Sequence, residues 1–435
     1  MKIKKFYHDN YLAMFPRWQR ARAAAAGEDE VHAGGELWLP RLAEEKDEEF
    51  KKRIAMTPFY NATWRTIISL RGLMFRKDPI ISDAEKYEDE LNDTTGRGYR
   101  YTDLCKFAAL ECLIVGRVGL LVDYSDRPVI VSYVAENIID WADDKSMVRL
   151  LEGKTKDGKE KHRVLMLDES GLYIQKIVEV VDGKETEIEE IIPMLAGKRF
   201  DYIPFIMMGV DSMEYDVEIP PLIDLVNVNM HHYIMSSAYE RGCFFSGLPS
   251  LFIFGNRDDT RNIYIGSSVA NSFPDPETRA EILEVKGNFG ALKENLISKE
   301  MQMASLGARM LEPRKAGVES EGALERRMSG DESVLADMAS TLSLGLTKAF
   351  YIYLAWYGKD DPEFSLEVNR EFLPSKLSAQ EISAMFLSWQ GGAISHETLF
   401  YNYKRAGYIP ESSNFEDEQN KISDSPPGLT NANPV

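Results

Sequence analysis

The chain has 435 residues, of which 44% are hydrophobic, and its 51 lysines and arginines against 70 aspartates and glutamates give a net charge of −19. That length and apolar content suffice for two or three cores rather than one small one. The acidic balance excludes a protein that coats nucleic acid, because binding to phosphates needs a cationic surface.

The three cysteines, Cys105, Cys112 and Cys243, form no CxxC pair, and their odd number does not fit a disulfide framework. We therefore expect reduced thiols, as in the cytosol, and no zinc knuckle. Lysines stand at positions 2, 4 and 5, but no apolar run follows them, so we expect no signal peptide. The chain has no run of about 18 apolar residues, so we also expect no membrane span.

The first quarter of the chain reads as helical. Helices are predicted over 1–26, over most of 44–77 and over 102–115. Gly27 marks the end of the first helix, and Pro79 ends the second because the residue before a proline disfavours helical geometry.

After Gly116 the apolar pattern changes to the period of strands. The segments GLLVDY and PVIVSYV flank a short turn and predict a hairpin. VRLLEG, HRVLMLD, LYIQKIVEVV and YIPFIMMGV follow, separated by turns that include Asp157-Gly158 and Asp182-Gly183. The pattern predicts an antiparallel meander and not a βαβ series.

Two long helices come next, with the short strands SLFIFG, NIYIG and EILEVKG between them. The first begins at Pro220-Pro221 and runs for about two dozen residues. The second, GALKENLISKEMQMASLGARML, has apolar residues at steps of three, four and seven, which is the spacing of one helix face. The residues expected on the two buried stripes include Leu222, Leu225, Tyr233, Leu292, Leu296, Met303, Leu306 and Met310.

A short basic loop, PRKAG, separates the second of these helices from a third one. In the third helix Met338, Leu342, Leu346 and Phe350 step by four, and Gly358 supplies its C-terminal end. A cationic loop between two rod-like helices is a mechanical arrangement rather than a catalytic one.

The C-terminal part is predicted to hold a strand at 363–372, a helix after the capping box of Ser378 and Glu381, and a helix from Ser395 to Gly407. The tail from 416 has little apolar content and is expected to be disordered.

The two short C-terminal helices, 379–390 and 395–406, leave a helix-turn-helix open as an alternative. The second helix offers only Lys404 and Arg405 as cations, beside Glu397, whereas a DNA reader carries several base-contacting polar and cationic residues. Ordinary helix packing is the favoured interpretation.

Catalytic and metal-binding signatures were sought and not found. Walker, HExxH, GxSxG and EF-hand patterns are absent, and no pair of carboxylates is distinguished by its spacing. The adjacent His231 and His232 cannot both point along one helix face, so a metal site is not expected there. We therefore predict no catalytic residues, no metal, no cofactor and no enzymatic activity.

Nine segments stand out along the chain, from about Tyr11 to about Ile422. They are LWLPRL, FYNATWRTIISLRGLMFRKDP, YVAENIIDW, IPFIMMG, PPLIDLVNVNMHHYIMSSAYERG, ILEVKG, SKEMQMASLGARML, VNREF and GGAISHETLF. None is a catalytic fingerprint, but their order and spacing together are specific. In these segments the chain resembles the portal proteins of tailed bacteriophages, in a subgroup known as a domain of unknown function.

The resemblance implies an α+β portal fold with a wing of helices and antiparallel sheet, a helical stem, a small α/β clip, a long wing helix and a helical C-terminal crown. It places the wing at 1–219, the first stem helix at 220–245, the clip at 246–288, the second stem helix at 289–312, the tunnel loop at 313–328, the long wing helix at 329–358, the crown at 359–415 and a disordered tail at 416–435.

The resemblance also implies a function. Portal proteins form a dodecameric ring at one capsid vertex, the channel for genome packaging and ejection. The implied partners are further copies of the chain, double-stranded DNA passing without sequence preference, the terminase packaging motor, a tail adaptor, and the major capsid and scaffolding proteins, with no membrane. Such a protein is made in the host cytoplasm and resides in the virion.

Two sets of site residues follow from the resemblance. The tunnel loop facing DNA in the channel would include Glu312, Pro313, Arg314, Lys315, Arg326 and Arg327. The stem contacts between subunits would include Leu222, Leu225, Tyr233, Leu296, Met303, Leu306 and Met310.

Two other functions remain as alternatives. One is a different structural head–tail connector, such as a tail adaptor, which would be shorter and lack the helix–loop–helix unit. The other is an acidic α+β hydrolase, which would need a convergent titratable cluster that the sequence does not reveal.

Overall fold

The computed structural model of the protein describes residues 6–124, 126–155, 158–195, 197–247, 250–254, 279–283, 289–311, 333–359, 361–370, 372, 379–405, 408–409 and 413–424. Its fold is α+β, with antiparallel sheets. The described helices are α1 Asp9–Ala26, α2 Glu28–Ala33, α3 Asp47–Met56, α4 Ala62–Met74, α5 Glu88–Asn92, α6 Tyr101–Val115, α7 Ile223–Gly247, α8 Phe289–Ala308, α9 Val334–Trp356, α10 Ala379–Gln390, α11 His396–Arg405 and α12 Phe415–Asp424.

The described strands form one five-stranded sheet, one three-stranded sheet and three two-stranded pairs. They are β1 Ile80–Ile81, β2 Arg117–Tyr124, β3 Pro128–Val134, β4 Ile138–Trp141, β5 Met147–Lys154, β6 Glu160–Leu167, β7 Tyr173–Val181, β8 Lys184–Ile191, β9 Met194–Leu195, β10 Lys198–Arg199, β11 Phe205–Gly209, β12 Ser250–Phe254, β13 Arg279–Leu283 and β14 Leu366–Glu367.

Two N-terminal helices end at the predicted glycines, whereas the helix predicted to end at Pro79 ends earlier, at Met74. Gly27 follows α1 with a φ of 100° and Gly116 follows α6 with a φ of 81°, conformations that glycine adopts without strain. A side chain at Gly116 would also meet the backbone of Pro220 at 3.3 Å. Asn61 caps α4, because its side chain accepts a hydrogen bond from the Trp64 N–H.

The strands divide into two sheets where the sequence predicted one meander. Strands β4 to β8 pair in chain order, which confirms the meander for that part. The segment YIPFIMMGV, however, contributes β11 to a separate sheet of order β11-β2-β3, with Met207 opposite Gly119. All five residues of β11 are buried, so its apolar run fits a strand covered on both faces rather than the half-exposed meander.

The sequence analysis did not predict β8, whose sequence KETEIEEI is exposed along nearly its whole length. Its polar residues give no apolar alternation to detect. The Asp182-Gly183 turn, with φ values of 50° and 74°, joins it to β7 as the sequence predicted.

Helix α9 lies in the core of the molecule. Its predicted stripe of Met338, Leu342, Leu346 and Phe350 is fully buried, as expected from the spacing of four. Gly345 lets the helix approach β11, since a Cβ there would stand 2.4 Å from Met208. The Phe350 ring lies 4.8 Å from Tyr101 of α6 and 4.6 Å from Phe364, centroid to centroid.

The bounds of α9 match the prediction at one end. Gly358, with a φ of 68°, follows the helix as predicted, and Ser333 caps its start by accepting a hydrogen bond from the Ala336 N–H. The expected start at Ser329 lies outside the described residues.

The C-terminal region corrects two predictions. Among the described residues of 363–372, only Leu366–Glu367 pairs as a strand, with β1. The tail from 416 was expected to be disordered, yet α12 spans Phe415–Asp424, and the tail beyond 424 lies outside the described residues. Phe415 explains the helix, because its ring packs 5.4 Å from Phe400 of α11 and gives this polar segment an apolar anchor.

Candidate functional region at the α7–α8 hairpin

Helices α7 and α8 form an antiparallel hairpin. Near one end, a Cβ at Gly242 would lie 2.3 Å from the Phe289 ring, so the end of α7 touches the beginning of α8. Near the other end, a Cβ at Gly307 would lie 3.7 Å from a methyl carbon of Leu225, so the end of α8 touches the beginning of α7. The 25 residues of α7 make a rod of about 37 Å at 1.5 Å per residue.

The predicted apolar stripes of these helices face into their own subunit. The predicted contact residues that a single chain already buries are Leu222, Leu225, Tyr233, Leu296, Met303 and Met310, while Leu306 is half-buried. Helices α1, α3, α4 and α8 all pack against α7. The described chain therefore uses this stripe to pack the hairpin internally, and its role between subunits stays a prediction.

Other apolar side chains of the hairpin face solvent in the single chain. On α8, Ile297 is 41% exposed and Met301 is 68% exposed, and their spacing of four places them on one helix face. Phe244 near the end of α7 is 46% exposed. The sequence analysis missed this second face, because α8 carries apolar residues on two sides and their spacing does not say which side is covered.

Asn229 anchors α7 to α4. Its side-chain oxygen accepts hydrogen bonds from the Thr63 N–H at 3.0 Å and the Thr63 hydroxyl at 2.8 Å. Its side-chain nitrogen donates to the Tyr60 carbonyl at 2.7 Å. Since Asn229 is fully buried, these bonds fix the rotation of α7 about its own axis.

Arg53 makes a second anchor, from α3. It pairs with Glu45 through two hydrogen bonds of 2.7 and 2.8 Å, and it donates to Ser237 of α7 at 3.2 Å. The hydrogen bonds from Arg53 hold the pKa of the Glu45 carboxyl below its usual range. A cavity of about 290 Å³ lies beside this pair and is partly lined by Met56 and Phe244.

The two adjacent histidines of α7 point apart, as the sequence analysis expected. His231 is exposed, whereas His232 is buried with its Nε2 3.5 Å from the Glu300 carboxylate of α8. Burial lowers the pKa of His232 because it disfavours the charged ring, and Glu300 opposes this effect. Nowhere in the described ranges do three His, Cys, Asp or Glu side chains stand close enough to hold a metal ion.

The predicted tunnel-loop residues Glu312, Pro313, Arg314, Lys315, Arg326 and Arg327 lie outside the described residues. The residues on either side of that stretch are described and lie close together. Arg309 and Met310, at the end of the hairpin, line the same cavity of about 440 Å³ as Val334, at the start of α9. The end of the hairpin and the start of α9 therefore lie close together at the base of the hairpin.

The family described as Domain of unknown function (DUF4055) matches residues 221–357. That range runs from the start of α7 to the end of α9, and it contains the hairpin. No curated protein matches the chain. Among the described helices, none is long and apolar enough to cross a membrane.

Three solved structures of gene transfer agent particles contain chains similar to this one. They are the neck of a native particle computed with C12 symmetry (12% identity, 86% of this chain and 97% of the other, TM-score 0.43), the virion of a native particle (11% identity, 86% and 97%, TM-score 0.41) and the neck of an empty particle computed with C6 symmetry (12% identity, 88% and 98%, TM-score 0.40). TM-scores below 0.5 do not establish a shared fold.

Proposed function

We propose that the chain is a portal protein, whose copies form a ring at one vertex of a phage-type capsid. The ring is the channel for packaging and ejecting the genome and the attachment site for the packaging motor and the tail adaptor. One observation carries the proposal: the order of elements within 221–357. A long helix, a strand pair, an antiparallel returning helix and a buried long helix follow one another there, in the order that the portal resemblance implies.

We propose a correspondence between the regions of a portal protein and the elements of this fold. The stem consists of α7 and α8, and the clip contains the β12–β13 pair between them. In this proposal helix α9, which packs on the β11-β2-β3 sheet, is the long wing helix, and α10 and α11 belong to the crown. The proposed tunnel loop is 313–328, and the described residues Met310 before it and Val334 after it line one cavity at the base of the stem.

The charge of the chain fits a channel that DNA passes without adhering. Each copy carries −19, and a ring multiplies that charge around the channel. An acidic wall repels phosphates over about a Debye length, roughly 8 Å at physiological salt. Arg314 and Lys315 in the proposed loop supply a few sequence-independent backbone contacts.

The exposed face of α8 is our proposed contact between subunits in the stem. Ile297 and Met301 lie opposite the stripe that the chain buries internally, and an apolar pair on an exposed rod gains stability when a neighbouring copy covers it. Repeating one head-to-tail contact gives a closed ring only if the rotation from one subunit to the next is a full turn divided by a whole number.

The test is native mass spectrometry and negative-stain electron microscopy of the purified full chain. We expect closed rings with a central hole. A chain that stays monomeric at micromolar concentration, with or without scaffolding protein, would contradict the portal proposal. The purified chain is also expected to show no ATP turnover, because packaging energy comes from a separate motor, and turnover that survives further purification would favour an enzyme instead.

A further inference from the structure

The exposed face of α8 carries no charge over residues 297–305. The exposed residues of that stretch are Ile297, Ser298, Met301, Gln302, Ala304 and Ser305. Its two charged residues, Lys299 and Glu300, are half-buried, and Glu300 lies 3.5 Å from His232 of α7. This uncharged face contrasts with a chain in which 28% of the residues are charged. Depletion of charge distinguishes the centre of a protein interface from the rest of the surface.

A head-to-tail contact joins two different patches. Each copy offers one patch to the copy before it and another patch to the copy after it. The exposed face of α8 is one such patch. Its complement has to be apolar, has to lie on another side of the subunit, and has to be concave enough to receive Ile297 and Met301.

A groove between α3 and the end of α7 meets these requirements. It is the cavity of about 290 Å³ beside Arg53, and we call it the α3–α7 groove. Two of its walls are apolar and open to solvent, since Met56 is 47% exposed and Phe244 is 46% exposed. The charged residues that also line it are Glu49, Lys52, Glu240 and Arg241. Apolar anchors beside charged residues fit an interface with an apolar centre and a polar rim.

The buried polar groups of the α3–α7 groove are already paired. The side chains of Arg53 and Glu45 are 9% and 4% exposed, and they pair with each other. Arg53 also donates a hydrogen bond to Ser237 at 3.2 Å. Burying a polar group is costly mainly when it lacks a hydrogen-bond partner. Apolar side chains of another copy can therefore cover this pair without leaving its charges unpaired.

The α3–α7 groove and the exposed face of α8 lie on different sides of the hairpin. The residues that α7 contributes to the groove have the spacing of one helix face, and they are Ser237, Glu240, Arg241 and Phe244. Gly242, which lies against Phe289 of α8, is two positions from Phe244 and so about 160° around the helix from it. The groove therefore faces away from α8, and a subunit does not fill it with its own Met301.

We propose that Ile297 and Met301 of one copy insert into the α3–α7 groove of the next copy, between Met56 and Phe244. The inference rests on the portal proposal and specifies the contact that repeats around the ring. Methionine on both sides suits such a contact, because its unbranched side chain adapts to irregular gaps. The stabilising free energy comes mainly from apolar burial, so moderate concentrations of sodium chloride should not weaken the contact.

Disulfide trapping between copies of the full-length chain tests the inference. One cysteine comes from Ile297→Cys or Met301→Cys. The other, in the same chain, comes from Met56→Cys or Phe244→Cys, and Cys243→Ser removes the half-buried native thiol. A disulfide needs Cβ atoms about 3.5–4.5 Å apart, so it traps only residues in contact. After mild oxidation of rings, at least one of the four combinations should give a ladder of covalent dimers, trimers and longer species.

Chains with a single introduced cysteine distinguish a head-to-tail contact from a two-fold one. Chains carrying only Met301→Cys are co-expressed with chains carrying only Met56→Cys. The mixture should give covalent dimers and no longer species, and neither variant should crosslink alone. Efficient crosslinking of Met301→Cys alone would overturn the inference in favour of a two-fold contact between α8 helices.

The matched control moves the cysteine around α8. Asn295 is also exposed, but it is two positions from Ile297 and so about 160° around the helix from it. Asn295→Cys combined with Met56→Cys should therefore crosslink poorly. If it crosslinks as well as the best of the four combinations, the exposed face of α8 is not what enters the groove, and the inference is wrong.

Electron micrographs taken before oxidation separate this inference from the portal proposal. Rings that give no crosslink with any of the four combinations would overturn the inference and leave the portal proposal standing. A chain that forms no rings would overturn both. As an independent reading, Met56→Asp should lower the number of rings without lowering the free energy of unfolding, because it places a charge in the groove. A Met56→Asp chain that forms rings as the parent does would contradict the proposed contact.

Discussion

Helices α9 and α8 are both long and apolar, and both lie in the range matched by the family of unknown function, yet the chain covers them differently. In α9, Leu342 and Leu346 are fully buried. In α8, Met303 is buried but Met301, two positions earlier, is 68% exposed.

The two helices differ in how many other elements of the same chain pack against them. Helix α9 packs on β11 through Gly345 and on α6 through Phe350, so a single chain covers most of it and leaves Leu344 exposed. Helix α8 packs mainly along α7, and only its end reaches α4, where Gly307 faces Thr66. We infer that α9 belongs to the fold of one subunit, whereas the outer face of α8 is available to assembly. Substitutions in the two helices should therefore separate folding from ring formation.

The largest expected effect is in α9. Leu342→Ala should lower the free energy of unfolding by about 3 kcal/mol, because it removes buried methyl groups and leaves a cavity among residues that cannot collapse freely. Urea denaturation followed by circular dichroism measures it. The control is Leu344→Ala on the same helix, where the side chain is 63% exposed and the change should stay within about 0.5 kcal/mol. Equal costs at both positions would mean that α9 is not buried as described.

The next largest effect is the difference in unfolding free energy between substitutions of two methionines of α8. Met303→Ala should cost about 2 kcal/mol of unfolding free energy, because Met303 is buried inside the subunit. Met301→Ala should leave unfolding of the subunit nearly unchanged.

Met301→Asp tests whether the exposed face of α8 contributes to ring assembly. It places a charge on the exposed face of α8, so we expect normal subunit stability but fewer rings in electron micrographs. If this variant forms rings as the parent does, the exposed face of α8 is not a contact between subunits. That outcome would say nothing about the burial of Met303.

A smaller effect is expected on the pH dependence of stability, through His232 in the middle of the hairpin. Burial lowers the pKa of His232 in the folded chain, so below about pH 6.5 the unfolded chain binds a proton that the folded chain does not. Stability should therefore fall as the pH drops through this region and stay flat above it. His232→Gln should lose less stability than the parent between pH 7 and about pH 5.5 in urea titrations.

The neighbouring histidine is the control for that experiment. His231 is exposed, so His231→Gln should keep the pH dependence of the parent. If both variants behave alike, His232 does not set the pH dependence of the hairpin, and other groups must do so.

The smallest effect on stability is expected in the proposed tunnel loop. Arg314→Ala with Lys315→Ala should leave both unfolding and ring formation unchanged, since a loop that faces the channel contributes little to folding. The same change should alter the amount of DNA packaged or retained in complemented particles, because it removes cations from the channel. Unchanged packaging over a range of salt would exclude a DNA role, and lost rings would place these residues in a packing segment.

Residues close in sequence were sufficient to predict several helix ends. Gly27, Gly116 and Gly358 stand where the helices end, since a left-handed or extended glycine stops a helix without help from distant contacts. The fourfold spacing in α9 likewise predicted its buried stripe, because side chains four positions apart lie on one face of a helix. These features depend on a few neighbouring residues, and the sequence by itself determined them.

Tertiary structure decided which helix faces are buried and which strands pair with each other. β11 pairs with β2 across more than eighty residues, and no local pattern specifies such a partner. Both Met301 and Met303 are apolar, and the packing of α8 against its neighbours makes one buried and the other exposed. The polar segment that forms α12 packs on the rest of the chain through the contact between the Phe415 and Phe400 rings. In each case the deciding free energy comes from contact with a distant residue, which the local sequence does not contain.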